Sequence, residues 1–258
     1  MGRLDGKVAY ITGAGSGIGK ASAGAFVDEG ARVVVAELRA ELGQATVDEI
    51  RSGGGDATLV ETDVTDPASV EASIAKVVDL HGGLHVLFNC AGGSLPADGD
   101  VVDTDLEAWR WTLDVNLLGP MLCCRYGIRP MADSGGGSII NVSSIAAMRG
   151  ALAGDMYTAT KGAVISLTRS IAARHHHEGI RANVIAPAAV LTDRVVALMG
   201  MNTDDESWSP ALEEFARGHP FAVSRPEDLA AVAVFLASDE SRSINGALIP
   251  AEGGLTAY

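Results

Sequence analysis

Tyr157 and Lys161 are the two residues whose types and spacing could support proton transfer. A separation of four residues places both side chains on one face of a helix. A tyrosine ordinarily ionises near pH 10, which is too high for a general base at neutral pH. A lysine ammonium about 4–5 Å away would favour the phenolate by roughly 3–4 kcal/mol, or about 2–3 pKa units. Taken alone, the pair is also typical of an ordinary, partly exposed helix face.

A third polar side chain, Ser144, lies 13 residues before Tyr157 and follows the strand-like run at 139–142. The end of a strand and the start of a helix can converge at the mouth of a parallel sheet. There the serine hydroxyl could hold a substrate oxygen for acid/base chemistry. The three residues therefore predict one site, if the fold brings the two elements together.

A glycine-rich stretch, TGAGSGIG at 12–19, stands between a predicted strand and a predicted helix. Glycines permit a tight turn and the close approach of a phosphate, and the helix start offers free N–H groups and a positive dipole end. The spacing differs from G-x-G-x-x-G, because Ile18 stands where the last glycine would be. We expect a cofactor diphosphate here, contacted by Gly13, Ser16, Gly17, Ile18 and Gly19.

Glu37 ends the second predicted strand, 18 residues after Gly19. An acidic side chain at about this distance accepts hydrogen bonds from the ribose hydroxyls and would repel a 2′-phosphate. Leu38 follows and is a further candidate contact. The sequence therefore predicts NAD, with NADP less favoured, although the nearby Arg39 keeps NADP use open.

Two other strand ends supply candidate cofactor contacts. Asp63 and Val64 follow the third strand, where the carboxylate could meet the adenine amino group. The alternative is that Asp63 caps the helix that begins near Pro67. After the fourth strand come three further candidates, Asn89, Ala91 and Gly92.

Short apolar runs alternate with helical stretches along the whole chain, which predicts parallel strands joined by crossover helices. We expect a single α/β domain over 1–258, a doubly wound parallel sheet of about seven strands with helices on both faces. The predicted strands are 7–12, 31–36, 57–61, 84–88, 138–142, 182–186 and 247–250. The predicted helices are 16–29, 41–52, 67–81, 106–126, 156–177 and 226–237.

The composition narrows the classes of partner. The net charge of −14 disfavours binding to nucleic acid and to anionic membranes. No apolar run is long enough to span a bilayer, and no targeting segment is visible. Three cysteines without a CxxC pair, Cys90, Cys123 and Cys124, suggest reduced, buried thiols in a cytoplasmic protein.

Five motifs together resemble the short-chain dehydrogenase/reductase family. They are TGAGSGIG at 12–19, NCAG at 89–92, Asn116 in DVNLLG, Ser144 in NVSS and YTATK at 157–161. The resemblance runs from about residue 4 to residue 254. It implies a Rossmann fold, a nicotinamide cofactor and the interconversion of a secondary alcohol and a ketone.

The resemblance also implies roles for residues. Tyr157 would be the general acid/base, Lys161 would lower its pKa and contact the nicotinamide ribose, Ser144 would orient the substrate oxygen, and Asn116 would support Lys161 through a proton relay. Pro187, Val190 and Thr192 would contact the nicotinamide end. A homotetramer is also implied, with close helix approach at Ala159, Gly162, Ala163, Ala172 and Ala173.

The irregular segment 190–221 is expected to form a substrate-binding loop or lid, since loops carry specificity in this architecture. Met199, Met201, Trp208 and Phe215 would make it apolar and Gly200 could be its hinge, which suggests a medium-sized, largely apolar or alicyclic alcohol. A surface helix pair without substrate contact is the alternative. Trp109 and Trp111 are expected to pack the helix that holds Asn116.

Two other functions compete with this prediction. One is an NADP-dependent 3-oxoacyl-carrier-protein reductase, which Glu37 and the acidic charge disfavour. The other is a non-catalytic nucleotide-binding regulator, which four intact catalytic positions disfavour. No metal is expected, because the adjacent histidines 175–177 point about 100° apart on a helix and cannot face one ion.

Overall fold

The computed structural model describes residues 2–150, 152–198, 210–217, 221 and 223–257. Seven strands form one sheet in the order β3-β2-β1-β4-β5-β6-β9, and every neighbouring pair is parallel. These strands are β1 Val8–Thr12, β2 Arg32–Glu37, β3 Ala57–Glu61, β4 Val86–Asn89, β5 Gly137–Val142, β6 Ile180–Pro187 and β9 Leu248–Ala251.

Helices cover both faces of the sheet. They are α1 Gly17–Asp28, α2 Ala40–Ser52, α3 Pro67–His81, α4 Leu106–Leu113, α5 Gly119–Asp133, α6 Asp155–His175, α7 Asp193–Leu198, α8 Pro210–Ala216 and α9 Pro226–Ala237. Phe26 and Leu229, from α1 and α9, belong to the core on one face. Ile74, Leu122 and Ile171, from α3, α5 and α6, belong to the core on the other. The predicted doubly wound α/β domain is confirmed.

The position of β1 determines where a ligand can bind. β1 lies between β2 and β4, so the chain winds outward from β1 in one direction and then from β4 in the other. Ligands of open α/β sheets bind at the carboxyl ends of the strands beside such a switch point. The glycine-rich stretch begins at this end of β1, and Asn89 ends β4.

The structure departs from the predicted elements on either side of Asn116. The helix predicted to run unbroken over 106–126 is α4, then a π-helical turn at Asp114–Leu118, then α5, which continues to Asp133. α5 accommodates Pro130 close to its own C-terminus and so extends beyond the predicted end. A short parallel pair, β7 Ala189–Val190 with β8 Val223–Ser224, was also not predicted, because two-residue strands carry no periodicity.

The exposed fractions of side chains bear on two packing predictions. Trp109 and Trp111 are each more than a third exposed, and their packing against the helix that holds Asn116 stays a prediction. Ala172 is buried within the monomer and lies against the backbone near Gly246, so it cannot belong to a helix interface between subunits.

Part of the predicted lid lies outside the described residues. This applies to Met199, Gly200, Met201 and Trp208, and to the side chain of Phe215. Among the residues that the structure describes, no helix is long and apolar enough to cross a membrane.

Candidate active site

A cleft of about 1260 Å³ opens at the carboxyl ends of the central strands. It brings together side chains that are more than 120 residues apart in sequence, from Gly13 on one side to Tyr157 and Lys161 on the other. The predicted residues that line it are Gly13, Ser16, Gly17, Ile18, Gly19, Glu37, Leu38, Asp63, Val64, Ala91, Gly92, Ser144, Tyr157, Lys161, Pro187, Val190 and Thr192.

The glycine-rich loop and the end of β4 are tied to each other. Thr12 Oγ1 accepts hydrogen bonds from the backbone N–H groups of Cys90 and Ala91, both at 3.1 Å. Gly13 has φ +66°, and a Cβ there would lie 2.9 Å from Ala91 Cα. A Cβ at Gly19 would overlap the carbonyl of Gly13. Side chains at these positions would collide with the backbone, so the glycines allow the tight turn that leads into the start of α1, where a phosphate can bind.

Glu37 lies beside this loop and is only 6% exposed. Its Oε2 accepts from the backbone N–H of Gly15 at 3.0 Å, and its Oε1 accepts from that of Arg39 at 3.1 Å. The guanidinium of Arg39 pairs with the same carboxylate, with 3.7 Å between Nε and Oε1. A fixed carboxylate at the end of β2 suits a ribose diol, and together with the open cradle it fits a dinucleotide cofactor.

Hydrogen bonds decide whether Asp63 caps the helix that begins near Pro67 or is free to contact a cofactor. Asp66, and not Asp63, caps α3, because its Oδ1 accepts from the backbone N–H of Ala68 at 3.0 Å. Asp63 Oδ1 instead accepts from the N–H and hydroxyl of Thr65, at 2.8 and 2.7 Å. Asp63 therefore has no capping role, and it lines the cleft as predicted for a cofactor contact.

Asn89 is the predicted contact whose side chain does not line the cleft. It is buried beneath the strand ends, where Nδ2 donates to Asn141 Oδ1 at 2.7 Å. Asn141 donates in turn to Thr168 Oγ1 on α6, at 2.8 Å. The alternation of side chains along β4 turns Asn89 inward and leaves the positions after it to face the cleft. Asn89 therefore joins the sheet to α6, and Cys90, Ala91 and Gly92 line the cleft.

Lys161 is fixed by the end of β5. Its Nζ donates to the carbonyl of Val142 at 2.9 Å and lies 5.5 Å from the centre of the Tyr157 ring. The backbone carbonyl of Lys161 also accepts from Ser143 Oγ at 2.8 Å. The side chain is 4% exposed, and burial lowers the pKa of Lys161 to about 8, because a low-dielectric environment disfavours the charged form.

The direction of the Tyr157 pKa differs from the sequence-based prediction. Burial raises the pKa of Tyr157 above its ordinary value, while the neighbouring Ser144 side chain and the charge of Arg194 act to lower it. Lys161 is not among these causes, and its own charged form is disfavoured by burial. Desolvation therefore outweighs the groups that favour the phenolate, and the direction is opposite to the expected one.

Asn116 occupies the middle of the π-helical turn and is completely buried. Its Nδ2 donates to the carbonyls of Gly93, at 2.6 Å, and Thr112, at 2.9 Å, and its Oδ1 accepts from the N–H of Gly93 at 3.0 Å. A Cβ at Gly92 would lie 2.8 Å from Asn116 Oδ1 and 3.1 Å from Lys161 Nζ. Gly92 thus lies between the side chains of Asn116 and Lys161, and this places Asn116 next to Lys161.

Asp98 is a residue of this site that sequence analysis missed. It is 7% exposed, and its carboxylate accepts from the backbone N–H groups of Met156, at 3.1 Å, and Tyr157, at 2.9 Å. Thr112 Oγ1 lies 3.5 Å from the same carboxylate. Asp98 thus caps the start of α6 from a loop that is 58 residues away in sequence. No local pattern marks it, because a cap is ordinarily expected immediately before its helix.

The cysteines and histidines contribute no second centre in the described part of the chain. Burial raises the pKa of the Cys90 and Cys124 thiols to about 12, so neither is a thiolate at neutral pH. His175 Nδ1 lies 2.7 Å from Glu178 Oε2 at the end of α6. Among the described residues, no three His, Cys, Asp or Glu side chains are arranged to hold a metal ion.

Comparison with known proteins agrees with this geometry. The family model described as enoyl-(acyl carrier protein) reductase matches residues 13–256. The chain belongs to the short-chain dehydrogenase/reductase family. A 3-alpha-(or 20-beta)-hydroxysteroid dehydrogenase of Mycobacterium bovis is 40% identical over 256 residues, which cover 99% of this chain and 92% of that protein.

Solved structures of the family have the same fold. A short-chain dehydrogenase/reductase from Burkholderia xenovorans superposes with a TM-score of 0.92 at 34% identity, covering 100% of this chain and 99% of that one. A 7 alpha-hydroxysteroid dehydrogenase complexed with NADH and 7-oxo glycochenodeoxycholic acid has a TM-score of 0.88 at 31% identity, with 98% and 95% covered. The similarity supports an oxidoreductase that acts on hydroxyl groups.

Proposed function

We propose that this protein is an NAD-dependent dehydrogenase that interconverts a secondary alcohol and its ketone. The observation that carries the proposal is that Ser144, Tyr157, Lys161 and the glycine-rich loop line one cleft. A phenol and a serine hydroxyl in the same cleft can both hold one substrate oxygen. Acid/base chemistry on that oxygen is what a hydride transfer at the neighbouring carbon requires.

NAD is the cofactor that the residues at this cleft fit best. The loop at 13–19 would hold the diphosphate, Glu37 the adenosine ribose, Asp63 the adenine, and Val190 and Thr192 the nicotinamide end. When bound, NAD⁺ accepts the hydride and adds a positive charge to the site. Because Arg39 already pairs with Glu37, it is less available to a 2′-phosphate, and NADP is disfavoured.

The proton is handled by Tyr157. In alcohol oxidation its Oη accepts the proton of the substrate hydroxyl, and in ketone reduction it returns that proton. Ser144 holds the substrate oxygen in place. Ser144 and the charge of Arg194 favour the phenolate and oppose the effect of burial. Lys161, supported by Asn116, would hold the nicotinamide ribose and complete the path for the proton.

The substrate is a medium-sized alcohol with an apolar or alicyclic body. The described wall of the cleft includes Trp111 from α4, Val115 from the π-helical turn and Val195 from α7. The similarity to two hydroxysteroid dehydrogenases supports a ring-shaped substrate. Segment 190–221 is proposed to complete this wall as a loop or lid.

A homotetramer is proposed for the assembly. Ala159 and Ala173 are exposed on α6, and a Cβ at Gly162 would meet nothing within 4 Å, so this face of the helix is open to a second subunit. The exposed Leu106 and the partly exposed Trp109 lie on the neighbouring α4. Sedimentation velocity at micromolar concentration tests this, and a monomer would contradict it.

A panel of secondary alcohols and ketones tests the activity, with NAD and NADP compared and turnover followed by cofactor absorbance. We expect turnover of alicyclic alcohols with NAD, and little with NADP.

Tyr157→Phe should lower kcat by at least about 100-fold, the contribution of a positioned acid/base group, while NADH binding, measured by fluorescence, is retained. Wild-type-like activity in this variant would refute the mechanism. Reduction of a 3-oxoacyl thioester with NADP alone would instead favour a carrier-protein reductase.

A further inference from the structure

Arg194 places a guanidinium inside the catalytic cleft. It is the second residue of α7 and lines the same cavity as Ser144 and Tyr157. None of the sequence motifs includes it, and in the chemistry proposed above it acts on the Tyr157 phenolate only through its charge. The position of Arg194 therefore calls for an explanation of its own.

The guanidinium reaches across the cleft to the loop after β4. Its Nη2 donates to the backbone carbonyl of Ser94, 100 residues away in sequence. A Cβ at Gly93 would overlap the guanidinium, so the absence of a side chain at this position makes room for it. Arg194 is an exposed residue, but the Ser94 carbonyl holds its guanidinium at a defined place over the cleft.

Most of the hydrogen-bonding capacity of this guanidinium is unused by the described part of the chain. An arginine has five N–H donors, and one protein acceptor, the Ser94 carbonyl, is taken. Asp114 and Asp193 line the same cleft, but no carboxylate of the described residues lies within 4.0 Å of Arg194. A planar guanidinium with open donors matches a carboxylate or another anion with two or three equivalent oxygens.

The charge of Arg194 acts at the substrate end of the cleft. It is one of the groups that lower the pKa of Tyr157, so it lies close enough to influence the phenol. Glu37 is at the end of β2, three strands from β5, which is about 14 Å at ordinary strand spacing. An anion bound by Arg194 therefore belongs near the reacting oxygen and far from the adenosine ribose.

We propose that Arg194 binds an anionic group, such as a carboxylate, carried by the alcohol or ketone substrate, and so selects acidic substrates over neutral ones. This inference rests on the proposed function. The net charge of −14 repels anions at long range, so the selection must come from direct contact with this one guanidinium. The substrate would then combine an apolar or alicyclic body with one acidic group.

A matched pair of substrates tests the proposal: a hydroxycyclohexane carboxylate and its carboxamide, which have nearly the same shape. We expect wild type to favour the acid in kcat/KM by about 30-fold, the value of a hydrogen bond to a charged group. Arg194→Gln should bring this ratio close to one, and Arg194→Lys should give an intermediate ratio. If the loss of the Arg194 charge changes the pKa of Tyr157, it does so for both substrates, and this effect cancels in the acid-to-amide ratio of kcat/KM.

Two controls separate the possible sources of an effect. Arg129→Gln makes the same change at an exposed arginine that already pairs with Asp133 outside the cleft, and it should leave the ratio unchanged. The Kd of NADH should be the same in wild type and Arg194→Gln. A large loss of NADH affinity with an unchanged acid-to-amide ratio would assign Arg194 to the cofactor diphosphate and overturn the proposal. An equal loss for both substrates would overturn it as well, by showing a structural role.

A binding experiment that involves no turnover tests the role of Arg194 separately from the proposed dehydrogenase activity. Calorimetric titration of the NADH-bound protein with cyclohexane carboxylate, and with its amide, measures anion recognition directly. Tighter binding of the acid to wild type but not to Arg194→Gln supports the proposal, even if no alcohol is turned over. Equal affinity of wild type for both compounds refutes it. Absence of turnover across the whole panel would refute only the proposed function.

Discussion

The carboxylate of Asp98 holds the backbone of Tyr157, since the N–H of Tyr157 donates to Asp98 Oδ2 at 2.9 Å. The loop that contains Asp98 also contains Gly93, whose backbone bonds Asn116. The Thr112 hydroxyl lies near the Asp98 carboxylate, and the Thr112 carbonyl accepts a hydrogen bond from Asn116. The start of the helix of Tyr157 and the turn of Asn116 are thus connected through one loop, so a change at Asp98 should reach the chemistry.

Asp98→Ala should destabilise the protein and lower kcat. A lost helix cap costs about 0.5–2 kcal/mol, and burial of the unpaired N–H groups of Met156 and Tyr157 places the expected loss near the upper end of that range. Because α6 then begins less rigidly, kcat should fall about 10-fold or more, with little change in the KM for NAD. Urea unfolding and steady-state kinetics measure the two effects.

Asp66→Ala is the matched control, because Asp66 caps α3 in the same way but at an exposed position away from Tyr157. It should lower the free energy of unfolding and leave kcat unchanged. Asp98→Asn keeps one acceptor oxygen and should recover part of the activity. If Asp98→Ala and Asp66→Ala have equal effects on kcat, the positioning role of Asp98 is wrong.

Gly92→Ala should reduce turnover while the fold is kept. The added Cβ would lie 2.8 Å from Asn116 Oδ1 and 3.1 Å from Lys161 Nζ, so one of these side chains must move. We expect kcat to fall at least about 10-fold, because small displacements of catalytic groups are costly. Gly24→Ala on α1 is the control. Its Cβ meets nothing within 4 Å, and it should stabilise the helix by about 0.5–1 kcal/mol without changing kcat.

Lys161 should make the stability of the cofactor-free protein depend on pH. Burial lowers its pKa from 10.5 to about 8, so between these values the unfolded chain binds more protons than the folded one. Stability relative to Lys161→Met should therefore rise with pH across this window, by about 2–3 kcal/mol in total. Urea unfolding of both proteins from about pH 7 to pH 10.5 measures the difference.

The exposed Lys76 on α3 provides the comparison for this pH series. Replacing Lys76 by Met should give a difference from wild type that does not rise in the same way. A flat difference for Lys161→Met would mean that the ammonium of Lys161 is stabilised in the folded protein as well as it is in water. That result would support the prediction from the sequence that Lys161 lowers the pKa of Tyr157.

Local patterns predicted the sheet and brought the glycine-rich loop and Glu37 to the cleft that the structure shows. Strand ends and glycines are marked by short-range sequence features, and Gly13, Gly19 and Glu37 lie where those features placed them. Asn89 shows the limit of this approach. Its position after β4 was correct, but the direction of its side chain depends on the register of β4 with β5, which brings it opposite Asn141.

The features that the sequence did not predict depend on distant contacts. Asp98 and Arg194 each act on residues of a different element, 58 and 100 positions away. The π-helical turn around Asn116 has no marker of its own, because its residues also suit an α-helix. The pKa of Tyr157 was predicted from one neighbour at an assumed distance, while its direction is set by burial, which only the packed structure reveals.

Glu37→Gln should shift cofactor preference toward NADP. The change removes the charge that would repel a 2′-phosphate but keeps an acceptor oxygen for the N–H of Gly15, and it frees Arg39 from its ion pair. We expect the NADP-to-NAD ratio of kcat/KM to rise about 100-fold, since a charge at close range in this environment is worth several kcal/mol. Glu61→Gln is the control, because Glu61 pairs with Glu37 in the sheet but is exposed and does not line the cleft. A wild-type protein that already prefers NADP would contradict the role assigned to Glu37.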